Sequence, residues 1–140
     1  MIMKRTAKAH WSGDLKTGAG TLSTPSTILD NTQYSFKTRF ESGAGTNPEE
    51  LLAAAHAGCF TMAVGAILTA KGIVAESLDT EAILDLDMQK LEVTAIHLVI
   101  SGKVPGITAE EFEAVVKDAE KNCIISKALQ VPISSEATFL

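Results

Sequence analysis

The side chains in this sequence best suited to redox or nucleophilic chemistry are its only two cysteines, Cys59 and Cys123. A thiolate is a nucleophile, and its oxidation to a sulfenic acid allows a second thiol to condense with it and form a disulfide. Free cysteines are also among the most frequently buried residues and often act only as small apolar side chains. No C-x-x-C motif is present, which argues against a thioredoxin-type site. Sequence positions alone therefore leave open a redox pair, a structural disulfide and two inert core thiols.

His56 precedes Cys59 by one helical turn, and this spacing suggests two further kinds of site. The two side chains could share a metal ion, but the chain has only three histidines and no third ligand is evident nearby. His56 could also act as the base for acyl transfer at Cys59, as in a cysteine hydrolase, although no orienting partner is visible. We therefore expect no metal and no cofactor, and keep a hydrolase as an alternative to redox chemistry.

A long helix is predicted to carry Cys59, starting in the segment GTNPEELLAAAHAGCF. Asn47 is suited to the N-cap and Pro48 to the first helical position. Glu50 stands where its side chain can reach back to the N-cap amide and complete a capping box. The apolar pattern continues to about Ala70. These signals predict one continuous helix from Pro48 to about Ala70.

After its first turn this helix is apolar on nearly every side, and most of its side chains are small. An all-round apolar pattern indicates burial against neighbours on several sides. Alanine and glycine allow another backbone to approach closely. We therefore expect a long buried central helix with a second helix packed tightly against it.

Cys123 continues the apolar stripe of a second predicted helix, over residues 109–121, whose start is marked by the capping-box residues Thr108 and Glu111. It stands at a break, where that helix ends and the segment IISKAL begins another helical turn or two. A thiol at a helix N-terminus is more acidic, because the helix dipole favours its anion. Cys123 is accordingly expected to face inward at a helix junction.

The remaining segments predict strands. TAKAHW, GTLST and YSFKTRF suggest an antiparallel meander, with Tyr34, Phe36, Thr38 and Phe40 on one face of the third strand and Arg39 on its polar face. LDTEAILDLDM and EVTAIHLVISGKV suggest two more strands, and VPISSEATFL a closing one. The order of strands and helices predicts an α+β fold with antiparallel sheets around the central helix.

Composition narrows the class of protein. The 140 residues suit a single domain over 1–140, and 46% apolar with 21% charged residues is ordinary for a globular protein. The net charge of −5 and the lack of a basic cluster argue against a nucleic-acid partner. No stretch approaches the roughly 18 apolar residues that a membrane span needs, so no membrane partner is expected. Without an export signal we expect a cytoplasmic protein, where a stable structural disulfide is disfavoured.

Several segments resemble the OsmC/Ohr family of thiol peroxidases (osmotically inducible protein C and organic hydroperoxide resistance protein). They are AHWSGDLKTGAGTLST, TRFESGAGTNPEEL, LLAAAHAGCF and NCIISKAL, in this order along the chain. The Ala-His-Trp opening and the Thr-Arg-Phe before the long helix are similar to the OsmC branch. The resemblance implies an intertwined homodimer, an antioxidant role in the stress response, and a peroxidase that reduces organic hydroperoxides, and hydrogen peroxide less well, through two cysteines.

The resemblance also implies a role for each site residue. Cys59 matches the peroxidatic cysteine and Cys123 the resolving cysteine, while Glu49 and Arg39 match the acidic residue and the arginine of the active site. On sequence alone Arg39 is better explained as a solvated side chain and Glu49 as a partner of the helix dipole. The resemblance implies a lipoyl-bearing protein or another dithiol as reductant. The alternative function is a non-catalytic member of the same fold that senses oxidants or holds an apolar ligand.

Helix geometry adds a constraint on the site. Glu49 and Cys59 lie ten residues apart on the predicted helix, which separates them by about 15 Å along the axis and about 80° around it. A glutamate side chain cannot span that distance. If both residues serve one site, Glu49 must either hold an arginine from a distance or come from a second chain. A two-fold dimer with antiparallel central helices would bring Cys59 of one chain near Glu49 of the other, and Arg39 would come from the same chain as Glu49.

Overall fold

The computed structural model describes residues 1–140, in which six strands and four helices form an α+β fold; apart from the short helix α1, they follow one another in the predicted order. The strands are β1 (Lys8–Ser12), β2 (Ala19–Ser23), β3 (Thr32–Tyr34), β4 (Ser77–Asp87), β5 (Glu92–Lys103) and β6 (Ile133–Phe139). The helices are α1 (Phe36–Phe40), α2 (Pro48–Ala70), α3 (Ala109–Asn122) and α4 (Ile124–Ala128). The chain divides into two compact units, Met1–Leu51 and Leu52–Leu140.

The first unit contains the predicted antiparallel meander, with strand order β1-β2-β3. Gly20 in β2 is buried between the rings of Trp11 and Tyr34, whose centroids lie 5.5 Å apart. A Cβ atom at Gly20 would lie 2.5 Å from Tyr34 and 2.6 Å from Trp11. The meander therefore depends on a glycine at this point, because any side chain would push the two rings apart.

The predicted third strand is wrong beyond Tyr34, because the chain turns there into the short helix α1. Ser35 caps this helix. Its hydroxyl accepts from the Thr38 N–H at 3.3 Å, and the Thr38 hydroxyl accepts from the Ser35 N–H at 2.8 Å. Phe36 and Phe40, which also fit an alternating strand, are four residues apart and pack at 5.1 Å between ring centroids. The sequence fits both the alternation of a strand and the four-residue spacing of a helix, and the reciprocal cap favours the helix. Arg39 therefore lies on a helix instead of a strand.

Helix α2 begins and ends where the sequence predicts. Asn47 Oδ1 accepts from the Glu50 N–H at 2.7 Å, as an N-cap does. The Glu50 carboxylate accepts instead from the Thr46 hydroxyl at 3.2 Å, so the predicted capping box is only half formed. At the other end Gly72 has φ +74°, and the Ile73 N–H donates back to the Leu68 carbonyl at 3.0 Å. This is a glycine-dependent Schellman termination.

Burial of α2 in the single chain is confined to one stripe, so the expected burial on several sides is not reached within one chain. The stripe is His56, Phe60, Val64 and Leu68, at four-residue intervals. The positions that flank this stripe are half-buried, and the opposite face is open: Met62 is 78% exposed, and a Cβ atom at Gly58 would meet nothing within 4 Å.

The same helix corrects the expectation about membrane spans. Its 23 residues are long and apolar enough to cross a membrane, with a mean hydropathy of 1.9 in the most apolar window. The helix reaches this mean hydropathy because no charged residue occurs between Glu50 and its end to lower the average. Length and composition alone do not separate such a span from the core helix of a soluble protein.

The second unit contains a mixed sheet in the order β4-β5-β6, where only antiparallel pairing was expected. Strand β4 pairs antiparallel with β5 over almost its full length, whereas β6 pairs parallel with β5. Helices α3 and α4 lie between β5 and β6 in the chain. They form the crossover connection that a parallel pair requires, and the alternation within β6 gives no sign of its direction.

The hydrophobic core of the second unit is built by α2, β5 and α3. Its largest fully buried apolar side chains are Phe60, Leu68, Ile96, Leu98, Ile100 and Phe112. Cys123 belongs to this core with 2% of its surface exposed, and Cys59 packs against it. Both cysteines therefore contact the same hydrophobic core.

We expect Gly102→Ala to destabilise the second unit, because the added Cβ would lie 2.5 Å from Phe112 Cζ. Overpacking of this kind costs about 1–3 kcal/mol. Denaturant unfolding at a fixed protein concentration measures the loss. Ser101→Ala, on the neighbouring position of β5, is the matched control and should change stability little. Adding Phe112→Leu, which removes the clashing ring atoms, should make the cost of Gly102→Ala smaller; an undiminished cost would show that the ring contact is not its source.

Candidate active site

An ion pair in the first unit joins Arg39 to Glu49, two of the four predicted site residues. Helix α1 positions Arg39, and the first turn of α2 positions Glu49. Arg39 Nε and Nη2 both donate to Glu49 Oε1, at 2.9 and 2.7 Å. The guanidinium thus holds one carboxylate oxygen with two N–H groups, and its remaining N–H donors are free for another acceptor.

The other oxygen of Glu49, Oε2, is buried and has no hydrogen-bond partner. The Glu49 side chain is 15% exposed, against 43% for Arg39. A buried acceptor without a partner costs about 1–3 kcal/mol. The carboxylate therefore fixes the arginine and retains unused capacity to accept a hydrogen bond.

A cavity of about 240 Å³ lies beside Arg39 within the first unit. Apart from Arg39 and Ser35, its lining is apolar and largely aromatic: Trp11, Leu15, Tyr34, Phe36 and Phe40. The Arg39 guanidinium also lies over the Phe40 ring, 5.0 Å from its centroid, which is a cation–π geometry. The cavity combines an apolar wall with one fixed cation, the arrangement expected of a small-molecule site.

Cys59 lies on α2 in the second unit and is a partly exposed free thiol. It makes no side-chain hydrogen bond, and no cluster of three or more His, Cys, Asp or Glu side chains surrounds it. Because α2 is one unbroken helix, Glu49 at its start remains about 15 Å along the axis from Cys59. A single helix therefore cannot bring this carboxylate to its own sulfur.

Cys123 lies at the predicted break between two helices, as both the C-cap of α3 and the N-cap of α4. Its backbone N–H donates to the Ala119 carbonyl at 2.9 Å, which closes α3. Its Sγ accepts from the Ser126 N–H at 3.3 Å, which opens α4. The prediction of an inward-facing thiol at a helix junction is confirmed.

Ser126 was not among the residues singled out from the sequence, and His56 was considered there only as a possible partner of Cys59. His56 Nε2 lies 2.7 Å from Ser126 Oγ, and Ser126 Oγ lies 3.2 Å from Cys123 Sγ. His56 is fully buried, and desolvation lowers its pKa, so the ring is neutral. It makes no hydrogen bond to Cys59, which removes the arrangement that a hydrolase would need. The available signal was the position of Ser126, three residues after a cysteine that caps a helix.

Comparison with known proteins identifies the family of this chain. The sequence profile of the family described as "OsmC-like protein" matches residues 41–137. The chain is 42% identical to peroxiredoxin OsmC of Escherichia coli (strain K12), over 96% of this chain and 95% of that protein. It is 33% identical to the organic hydroperoxide resistance protein OhrA of Bacillus subtilis (strain 168), over 59% of each.

Among solved structures, an OsmC-like protein of unknown function from Vibrio cholerae aligns with a TM-score of 0.77 at 20% identity. The alignment covers 98% of this chain and 100% of that one. This likeness supports the fold, and the sequence matches establish the family. The chain belongs to the OsmC branch of the OsmC/Ohr family.

Proposed function

We propose that this protein is a thiol-dependent peroxidase that reduces organic hydroperoxides, and hydrogen peroxide less efficiently, to alcohols or water. The observation that carries the proposal is the Arg39–Glu49 pair, a fixed guanidinium with spare N–H donors beside an apolar cavity. Such a cation stabilises a thiolate and polarises a peroxide oxygen. The names of the relatives, a peroxiredoxin and a hydroperoxide resistance protein, support the same activity.

Substrate preference follows from the lining of the cavity. Its aromatic side chains provide apolar surface for the organic group of a hydroperoxide, and hydrogen peroxide has no such group to bury. We therefore propose that organic hydroperoxides are the better substrates, with the peroxide oxygens directed to the guanidinium.

The reaction proceeds in three steps. The Cys59 thiolate attacks the peroxide oxygen, the O–O bond breaks, and the alcohol leaves after taking a proton, which yields a Cys59 sulfenic acid. The Cys123 thiol displaces the sulfenic oxygen as water and forms the Cys59–Cys123 disulfide. An external dithiol, such as a lipoyl group, then reduces this disulfide by exchange.

A homodimer completes the proposed site. The open face of α2, with Gly58 and the exposed Met62, leaves room for a second copy of the helix. Antiparallel packing of two such helices would place the start of one near the middle of the other, so that Arg39 and Glu49 of one protomer meet Cys59 of its partner. It would also cover apolar surface that a single chain leaves in water.

The two cysteines should differ in what their loss removes. Cys59→Ser is expected to abolish peroxide consumption, because no nucleophile remains. Cys123→Ser should still consume one equivalent of cumene hydroperoxide per protomer and then stop with a dithiol reductant present at low concentration. Rapid-quench peroxide measurement distinguishes the two. Full turnover of Cys123→Ser with the dithiol would contradict the resolving role.

Arg39→Ala should slow the alkylation of Cys59 by iodoacetamide at pH 7, since the guanidinium favours the thiolate. The expected slowing is up to about 30-fold, the deficit in ionisation of an ordinary thiol with a pKa near 8.5. The measurement is made in a Cys123→Ser background so that one thiol reacts. Lys37→Ala removes a cation from the same helix that has no ion-pair partner, and is the control. An unchanged rate in Arg39→Ala would remove Arg39 from the site.

Mixed dimers test whether the site is shared. Cys59→Ser and Glu49→Ala protomers, each inactive alone, are co-expressed with different tags and the heterodimer is isolated. If each site combines Cys59 of one protomer with Glu49 of its partner, one site per heterodimer is intact and about half of the activity returns. Differently tagged Cys59→Ser protomers paired with each other are the control. A heterodimer without activity would contradict the shared site.

A further inference from the structure

A chain of three buried polar groups crosses the second unit, from α2 to the junction of α3 and α4. His56 Nε2 and Ser126 Oγ are 2.7 Å apart, and Ser126 Oγ and Cys123 Sγ are 3.2 Å apart. All three side chains are buried, with 0%, 7% and 2% of their surface exposed. Ser126 therefore connects the imidazole directly to the thiol that we propose as the resolving cysteine.

A histidine at position 56 is less favourable for stability than an apolar residue would be. It occupies the buried stripe of α2 that otherwise contains Phe60, Val64 and Leu68, where an apolar side chain would serve packing. Its Nδ1 is buried without a hydrogen-bond partner, which costs stability. Packing alone therefore does not account for an imidazole here, whereas its contact with Ser126 does suggest a use.

The protonation state of His56 suits a proton acceptor. Desolvation lowers the pKa of His56 and no charged side chain contributes to the shift, so the ring is neutral at pH 7. The titratable groups around it are Cys123, reached through Ser126, and Cys59, one turn further along α2. Lys127 on α4 is exposed. A serine hydroxyl donates and accepts at once, so it can pass a proton between a thiol and an imidazole nitrogen.

We infer that Ser126 and His56 form a proton relay that activates Cys123 for disulfide formation. The inference rests on the proposed function for the existence of a Cys59 sulfenic acid. Ser126 contacts the reacting sulfur, and His56 acts through Ser126 as the final acceptor. A buried thiol needs such a relay, because the solvent that would otherwise remove its proton is excluded.

Disulfide formation requires one proton to leave Cys123 and one to reach the departing oxygen. The Cys123 S–H proton passes to Ser126 Oγ while the Ser126 hydroxyl proton passes to His56 Nε2, which requires the neutral ring to carry its own proton on Nδ1. The Cys123 sulfur then bonds to the Cys59 sulfur as the sulfenic S–O bond breaks. The oxygen leaves as water after taking up the proton that His56 releases. The sum is a thiol and a sulfenic acid converted to a disulfide and water.

The first test needs no peroxide. In a Cys59→Ser background Cys123 is the only cysteine, and its rate of alkylation by iodoacetamide is measured at pH 7. His56→Gln keeps a side chain that can hydrogen-bond Ser126 but cannot take a proton. We expect slower alkylation in His56→Gln and in Ser126→Ala, because neither variant can accept the thiol proton as the sulfur reacts, with both variants folded by circular dichroism. Unchanged alkylation rates in both would overturn the relay.

The second test follows the resolving step itself. Reduced protein receives one equivalent of cumene hydroperoxide, and disulfide formation is timed by acid quench and non-reducing mass spectrometry. His56→Gln and Ser126→Ala should form the disulfide on the order of 10²-fold more slowly at pH 7, with a rate that rises roughly tenfold per pH unit as free thiolate becomes available. Formation of the Cys59 sulfenic acid should keep its wild-type rate, and Ser126→Thr, which keeps the hydroxyl, should restore most of the resolving rate.

The outcomes separate this inference from the proposed function. Wild-type resolving rates in both His56→Gln and Ser126→Ala over about pH 6–9 would overturn the relay. If the wild-type protein formed no sulfenic acid with peroxide, the proposed function would fail, and the alkylation rate of Cys123 would still decide the relay by itself. If one variant does not fold, the other carries both measurements.

Discussion

The fixed rise per residue of an α-helix determines how far apart the proposed site residues on α2 lie, and the rest of the proposed site depends on this separation. Helix α2 carries Glu49 in its first turn and Cys59 in its middle, and its regular geometry holds them about 15 Å apart along the axis. No rotamer of a glutamate closes that gap. The carboxylate can therefore serve the thiol of its own chain only at a distance, through an arginine that it holds; direct contact is possible only across two copies of the helix, as in the proposed dimer. The small side chains along α2 are compatible with this, since they leave its outer face free for close backbone contact.

The buried stripe of α2 links the same helix to the other cysteine. Phe60, Val64 and Leu68 anchor the helix in the core of the second unit, and His56 extends this stripe toward Ser126. One face of α2 thus reaches, through Ser126, the thiol that we propose as the resolving one, while Cys59 lies partly exposed beside that face. The proposed attack on peroxide by Cys59 and the proposed proton transfer from Cys123 thus involve different sides of α2. Because the helix is rigid, the relative positions of Cys59 and His56 are fixed.

Local sequence signals were sufficient where the structure is decided locally. Asn47 and Gly72 mark the ends of α2, and Thr108 with Glu111 marks the start of α3, because caps involve neighbouring residues only. The strand over Phe36–Phe40 was wrong because the i, i+4 spacing of its aromatic residues fits both periods, and the Ser35–Thr38 cap was not recognised.

Features that depend on contacts between residues far apart in the chain could not be predicted from the sequence. The direction of β6 depends on how α3 and α4 cross over, and the partner of His56 lies 70 positions away in the chain. The Arg39–Glu49 pair was expected from the family resemblance, but the use of a single carboxylate oxygen was not. Such contacts follow from the packed fold and leave no periodic pattern.

The sulfur of Cys123 has a second occupation as the acceptor that opens α4. A helix of five residues has little stability of its own, because so short a segment does not repay the cost of nucleation. In the proposed Cys59–Cys123 disulfide the S–S bond would fix the direction of the Cys123 sulfur, so its lone pairs could turn less freely toward the Ser126 N–H. We therefore expect Ile124–Ala128 to unfold locally more readily in the disulfide form than in the dithiol form.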